Sequence, residues 1–478
     1  MRARTRSRQR RTACALDLTL ASLLALAGCS KGTAPPKVKI PVGGSSADPD
    51  AGDVRDAGER AGAGGRARDA AVSGEGASAR DAGDAASPDE DAGPSDGDPA
   101  QRCAIATELS EWSHAVSFGD EGGFTLAPGL TGFGVAVLGG GTCDSILTLP
   151  VSATGAYKQP NELLGDCSAR LEDVGLLHVS DGYRLAWVDN STGSAELQSV
   201  LLPETLSAPA ELTRTRITDN AQHELRPVLA SFGGQSYAAW IALEPASKAR
   251  EVMLQAADGS AEGRTLINAA DGFTPVSLAL AQLGMDSGAL AFVSEQNQPG
   301  VWLVPLAPGG EARSAPVRLS AAVTVGNTVD LATREQDGGA VIYSVDVGAI
   351  HEVRFRRLSP EGAFLSDEIK VVSGPLQGRD ASLARLGGGY VVAFRSLPTS
   401  ADADAKTEVR LLFVTKEGNL QRDGAGRVIT YPVADASPTG GRLTVRVSTD
   451  GQLLVGFLDA TDAGPKLRLI RRRLDCAL

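Results

Sequence analysis

From Gly122 to the C-terminus one pattern recurs seven times, its landmark slots 50 to 63 residues apart, and this constrains the 478-residue chain more tightly than any other feature. Each unit holds a leucine-rich stretch, a Gly turn, and a stretch ending in a small residue followed by a large apolar one. Examples are Gly132-Phe133-Gly134-Val135-Ala136-Val137, Gly182-Tyr183-Arg184-Leu185-Ala186-Trp187 and Gly389-Tyr390-Val391-Val392-Ala393-Phe394. Trp240, Phe292, Tyr343 and Phe457 fill the same slot in the other units. A fixed period of this size marks a repeat architecture in which each unit buries its apolar faces only against its neighbours.

Each unit reads as four strands. The first carries Leu-Ala pairs (Leu126-Ala127, Leu229-Ala230, Leu278-Ala279, Leu331-Ala332, Leu383-Ala384), as expected of a short innermost strand covered on both faces. The second is the landmark strand. The third alternates apolar and polar residues, as in Val353-Arg354-Phe355-Arg356-Arg357-Leu358, and closes with turns such as Ser359-Pro360-Glu361-Gly362. The fourth is more polar, as in Ile369-Lys370-Val371-Val372, and suits an outer edge. The spacing predicts an all-β fold: a seven-bladed β-propeller of four-stranded blades over residues 103–478. A string of β-sandwiches needs about 100 residues per domain and is excluded.

The seventh repeat ends after its third strand, near Arg471-Arg472-Arg473-Leu474, while a spare strand, Trp112-Ser113-His114-Ala115-Val116-Ser117, precedes the first. Pairing the two predicts a ring closed by an N-terminal strand that completes the last blade. That closure brings Cys103 beside Cys476 and leaves Cys143 to pair with Cys167 across the outer strands of the first blade. A zinc site is the rival reading of these four cysteines, but no Cys-x-x-Cys spacing or neighbouring His supports it.

The first 28 residues carry a different signal. Arg2, Arg4, Arg6, Arg8, Arg10 and Arg11 precede a ten-residue apolar run at 18–27, too short to span a bilayer and suited to a signal peptide. The run ends in Leu26-Ala27-Gly28-Cys29, which resembles the lipobox of bacterial lipoproteins. The resemblance implies cleavage before Cys29, diacylglycerol on its sulfur, and an exported protein anchored by lipid in the cell envelope, at the outer membrane or cell surface. Residues 29–102 repeat Asp-Ala-Gly (50–52, 56–58, 81–83, 91–93) and have too little apolar surface to offset ordering entropy, so a disordered tether is expected.

Removing residues 1–28, which carry a formal charge of +5, takes the net charge from −12 to −17. Such acidity excludes a nucleic-acid partner, which requires a basic stripe. The four His (His114, His178, His223, His351) are scattered, no Gly-x-Ser-x-Gly elbow occurs, and no metal or cofactor is expected. Asp189, Asp346 and Asp459 follow the landmark slots at hairpin ends, where Asp serves turns. Asp402 and Asp404 fall in the longest excursion, residues 397–408, with too few further oxygens for a calcium site.

Ser180-Asp181-Gly182-Tyr183-Arg184-Leu185-Ala186-Trp187 and Thr449-Asp450-Gly451-Gln452-Leu453-Leu454-Val455-Gly456-Phe457 resemble the TolB-type and WD40-like propeller repeats of secreted bacterial proteins. The Ser-Pro that precedes Asp-Gly in TolB-like repeats is absent. The lipobox followed by an Asp-Ala-Gly-rich linker also resembles surface lipoproteins of myxobacteria and their relatives. With no catalytic residues evident, the expectation is a monomeric, non-enzymatic binding or scaffold module for a protein or glycan ligand. The loop bearing Asp402 and Asp404 is its candidate binding surface. The alternative is a carbohydrate-active enzyme, a glycoside hydrolase or lyase, with two carboxylates about 5 to 10 Å apart at the channel mouth.

Overall fold

The computed structural model describes residues 103–476 apart from 117–122, 140–143, 153–156, 167–170, 209–211, 321–327, 334–336, 373–376, 399–405, 439–440 and 462–463. Cys29, Cys143, Cys167, Asp402, Asp404, the signal segment and the whole tether lie outside the described residues.

Seven four-stranded antiparallel sheets follow one another along the chain and form a β-propeller. The innermost strands are Phe124–Gly129, Leu171–Val179, His223–Phe232, Pro275–Gln282, Val329–Thr333, Gln377–Leu386 and Leu443–Val447. Each is followed outward by its second, third and fourth strands in sequence order, except in the last blade. There the outermost strand is Cys103–Ala115, paired antiparallel with Gly464–Cys476 from Cys103 opposite Cys476 to Ala115 opposite Lys466. A disulfide joins Cys103 to Cys476. The closure read from the incomplete last repeat is therefore present.

Strand alternation explains the small-then-large pair that marks six of the seven repeats, the fifth having Ile342-Tyr343 instead. Adjacent residues on a strand point to opposite faces of the sheet, so the two members of the pair address different neighbouring blades. Trp187 packs among Ala136, Leu138 and Ile146 of the preceding blade, whereas Ala186 faces Ala238 and Trp240 of the next. Ala239 in turn makes room for Phe292, and Ala393 for Phe457. At the closing seam Gly456 does the same for Phe124 and Leu126 of the first blade. The six aromatic landmarks are at most 2% exposed, each burial contributing about 2 to 3 kcal/mol.

Polar clasps reinforce the seams toward the rim. Thr148 Oγ1 donates to the Leu206 carbonyl at 2.6 Å, Tyr237 Oη to that of Pro308 at 3.0 Å, and Tyr431 Oη to that of Cys103 at 3.1 Å. Arg471 donates to the Ser152 carbonyl at 2.6 Å, bonding the last blade to the first. The predicted turns after the third strands form at Ser359–Gly362 and Thr415–Gly418; Gly362 (φ 85°) and Gly418 (φ 97°) adopt the left-handed conformation there.

Candidate active site

The inner strands all run in the same direction, so the residues at their starts gather at one end of the central channel. A cavity of about 1650 Å³ occupies this channel. Its waist is apolar, with Ala127, Leu176, Leu229 and Ala279 among the lining residues. Its mouth at the strand starts is charged, with Asp173, Arg226, Asp330, Arg379, Asp380 and Arg442. The reading of the first strand as purely apolar and doubly covered holds for the Leu-Ala pairs but misses this end.

Irregular pairing accounts for the change. In the second, third and sixth blades the inner strand breaks register with its partner between Leu171 and Val174, between Leu225 and Val228, and between Arg379 and Ser382. The residues that the strand ladders skip include Asp173, Arg226 and Asp380, and such bulges re-aim side chains that a regular strand would send to a sheet face. Arg226 (φ 54°) and Asp380 (φ 51°) hold left-handed backbone, a strained state for these residues that concentrates at functional sites.

Asp173 Oδ2 accepts the Arg226 backbone N–H at 3.0 Å. Its side chain reaches channel solvent yet is surrounded by protein, and this burial pushes its carboxyl group above the ordinary Asp range despite the Arg226 amide and the Arg442 charge. Asp380 Oδ2 accepts Arg395 Nε at 2.9 Å. Burial raises this carboxyl too, against the opposing charges of Arg395 and Arg379. In each carboxyl group Oδ1 makes no hydrogen bond among the described residues. Asp330 differs, since its Oδ2 is fully engaged by Ser382 Oγ (2.6 Å), Leu383 N (3.1 Å) and Arg446 (3.2 Å), tying the fifth blade to the sixth and seventh. It is a structural carboxylate.

Arg395 is completely buried and donates to Asp380 and to the carbonyls of Ser437, Gly441 and Leu458. It fixes the Asp380 bulge to the seventh blade. Among the described residues, no group of three or more His, Cys, Asp or Glu side chains is placed to hold a metal ion.

The hairpin-end acids turn out to be structural or peripheral. Asp189 Oδ1 accepts the Ser191 amide at 3.0 Å, the turn role read from sequence. Asp459 accepts the Ser437 amide and pairs with Arg468. Asp346 pairs with His351, which also contacts Arg379. Of the other His, His114 stacks on Trp112, and His178 meets Glu204 and Tyr183.

Asp173, Arg226 and Asp380 escaped sequence reasoning, although a signal existed. Each stands fourteen residues before its landmark aromatic, Trp187, Trp240 and Phe394 respectively. A charged residue at a constant offset inside a repeat reports a shared backbone position, and here that position faces the channel.

No protein-family model and no curated protein matches the chain. Solved structures do. A puromycin-hydrolyzing peptidase of Mycobacterium tuberculosis is 11% identical over 76% of this chain and 56% of its own, with a TM-score of 0.43. Trypanosoma rangeli sialidase is 11% identical over 75% and 59%, at 0.39. An endo-arabinase from Bacteroides thetaiotaomicron is 13% identical over 63% and 93%, at 0.35. At these values the likeness by itself assigns no activity.

The expectation of a non-enzymatic binding or scaffold module is corrected. It rested on seeing no acids placed for catalysis, and bulges put the carboxyl groups of Asp173 and Asp380 on the lining of the central channel. The sequence kept these acids apart because they are 207 positions distant.

Proposed function

We propose that this chain is a carbohydrate-active enzyme that cleaves glycosidic bonds at the charged mouth of its channel. The observation that carries the reading is the presence of two carboxyl groups on the lining of one channel, Asp173 of the second blade and Asp380 of the sixth, each with one oxygen bonded and the other without a hydrogen bond among the described residues. Glycoside cleavage needs a carboxylic acid to protonate the leaving oxygen and a carboxylate to act as base or nucleophile. Asp173, raised by burial despite the Arg226 amide, suits the acid; Asp380, also raised by burial but with its charged form favoured by the Arg395 ion pair and the Arg379 charge, suits the carboxylate.

The test is incubation of the purified propeller with a panel of polysaccharides and aryl glycosides, reading new reducing ends or released phenol. D173N and D380N should each lower turnover at least about a hundredfold while leaving urea unfolding midpoints nearly unchanged. Turnover that persists in the double variant defeats the proposal.

The lipobox resemblance and the tether composition support placing this activity at the cell envelope through acylated Cys29, with the propeller acting as a monomer. Labelling of the wild-type chain, but not C29S, by a radioactive fatty acid tests the anchor.

A further inference from the structure

Resting on the carbohydrate-active reading, we infer that the glycan taken by the channel carries an anionic group, a uronate carboxylate or a sulfate ester, and that Arg442 receives it. The chain is acidic overall, yet the guanidinium groups at the mouth are not all neutralised. Arg446 is paired with Asp330, and Arg379 is engaged by His351. Arg442 makes no side-chain hydrogen bond and no ion pair among the described residues, although it lines the cavity and is largely enclosed by protein.

Two cationic neighbours, Arg226 and Arg446, make that isolation costly. Arg226 is close enough that its charge and that of Arg442 repel, and burial followed by this repulsion brings Arg226 down to about 10. Burial likewise depresses Arg442, with Asp173 and Asp330 supplying only partial compensation. A half-buried guanidinium kept beside another cation without a direct partner is a destabilising arrangement. An oxyanion accepting a bidentate pair of N–H bonds from Arg442 would complete it and relieve the repulsion. The same anion would lie near Asp173 and favour its protonated form, the state required of a proton donor.

The experiment measures binding by calorimetry on the D173N/D380N background, where cleavage is removed. The probes are matched trisaccharides of galactose, galacturonate and 6-sulfated galactose, and the corresponding glucose series. At least one anionic probe should bind, its neutral counterpart at least about 30-fold more weakly, and R442M should lose that difference. R442K, which keeps charge but not the planar fork, should keep part of it. Because R442M removes a repelled cation, its urea midpoint should equal or exceed the parent's, which separates a lost ligand contact from misfolding.

Preference for galacturonate or glucuronate assigns a carboxylate, and preference for the sulfated probes assigns a sulfate ester; either sustains the inference. Equal binding of neutral and anionic probes, no binding of any anionic probe at millimolar concentration, or unchanged preference in R442M overturns it. Anion-selective binding by a wild-type chain that cleaves nothing would sustain the anion site and sink the enzymatic reading alone.

Discussion

Glu224 offers a quantitative test of how this propeller manages buried charge. It stands on the inner strand of the third blade with no exposed surface. Oε1 accepts Asn220 Nδ2 at 2.9 Å. Oε2 lies near the Trp240 indole, whose N–H helps its charged form but falls short of hydrogen-bond geometry, so both atoms lack a full partner among the described residues. Nearby Glu196 is equally buried but well provided: Thr218, Ser194, the Asn220 amide and Arg216 overcome its burial and hold it below the ordinary Glu range. Glu224 is instead pushed up to about 7, first by burial and further by the Glu196 charge.

The sign follows from which state binds the proton more tightly. Because the folded-state value is raised above 4.5, the associated stability is fully present below about pH 4.5, declines as pH rises, and is lost above about 7. The shift corresponds to about 3 kcal/mol. Glu224→Gln retains an acceptor for Asn220 and removes the charge. Urea unfolding followed by tryptophan fluorescence should show the variant more stable than wild type by up to about 3 kcal/mol at pH 8, with no gain near pH 4. The same difference at both pH values, or a destabilised variant at pH 8, would refute the reasoning.

Three further outcomes are expected. The double variant C103S/C476S opens a bond spanning 373 residues, worth about 6 kcal/mol by chain entropy; an unfolding midpoint unchanged from wild type counts against a stabilising role. Arg395→Met strands the carbonyls of Ser437, Gly441 and Leu458 and the carboxylate of Asp380, costing about 3 to 5 kcal/mol, and equilibrium unfolding that shows less than about 1 kcal/mol contradicts the clasp. Gly134→Ala drives a Cβ to 2.6 Å from the ring of Tyr183, which is 3% exposed and enclosed; the cost should be about 1 to 3 kcal/mol and should be recovered largely by Y183L, whereas no recovery places the strain elsewhere.

What was legible in the sequence followed the period-two rule of regular strands. Ala186-Trp187 and Ala393-Phe394 could be recognised because alternation forces one residue of each pair onto each seam, and the missing strand after Leu474 pointed to Trp112 because every other repeat supplies four strands. The channel mouth was opaque for the converse reason. Asp173, Arg226 and Asp380 sit where alternation fails, and a bulge moves a side chain from sheet face to channel without altering the composition around it. Arg395 and Glu224 were equally hidden: their burial arises from contacts with neighbouring blades, not from the polarity of their own strands.

The Cys103–Cys476 bond also changes the connectivity of the domain. With it closed, the backbone from Cys103 to Cys476 is a covalent circle, so a protease that nicks any one surface loop produces no separable fragment. Two cuts are needed to release a blade, and the intervening seams must then part as well. A propeller built in this way survives its first nick with every blade still held in register.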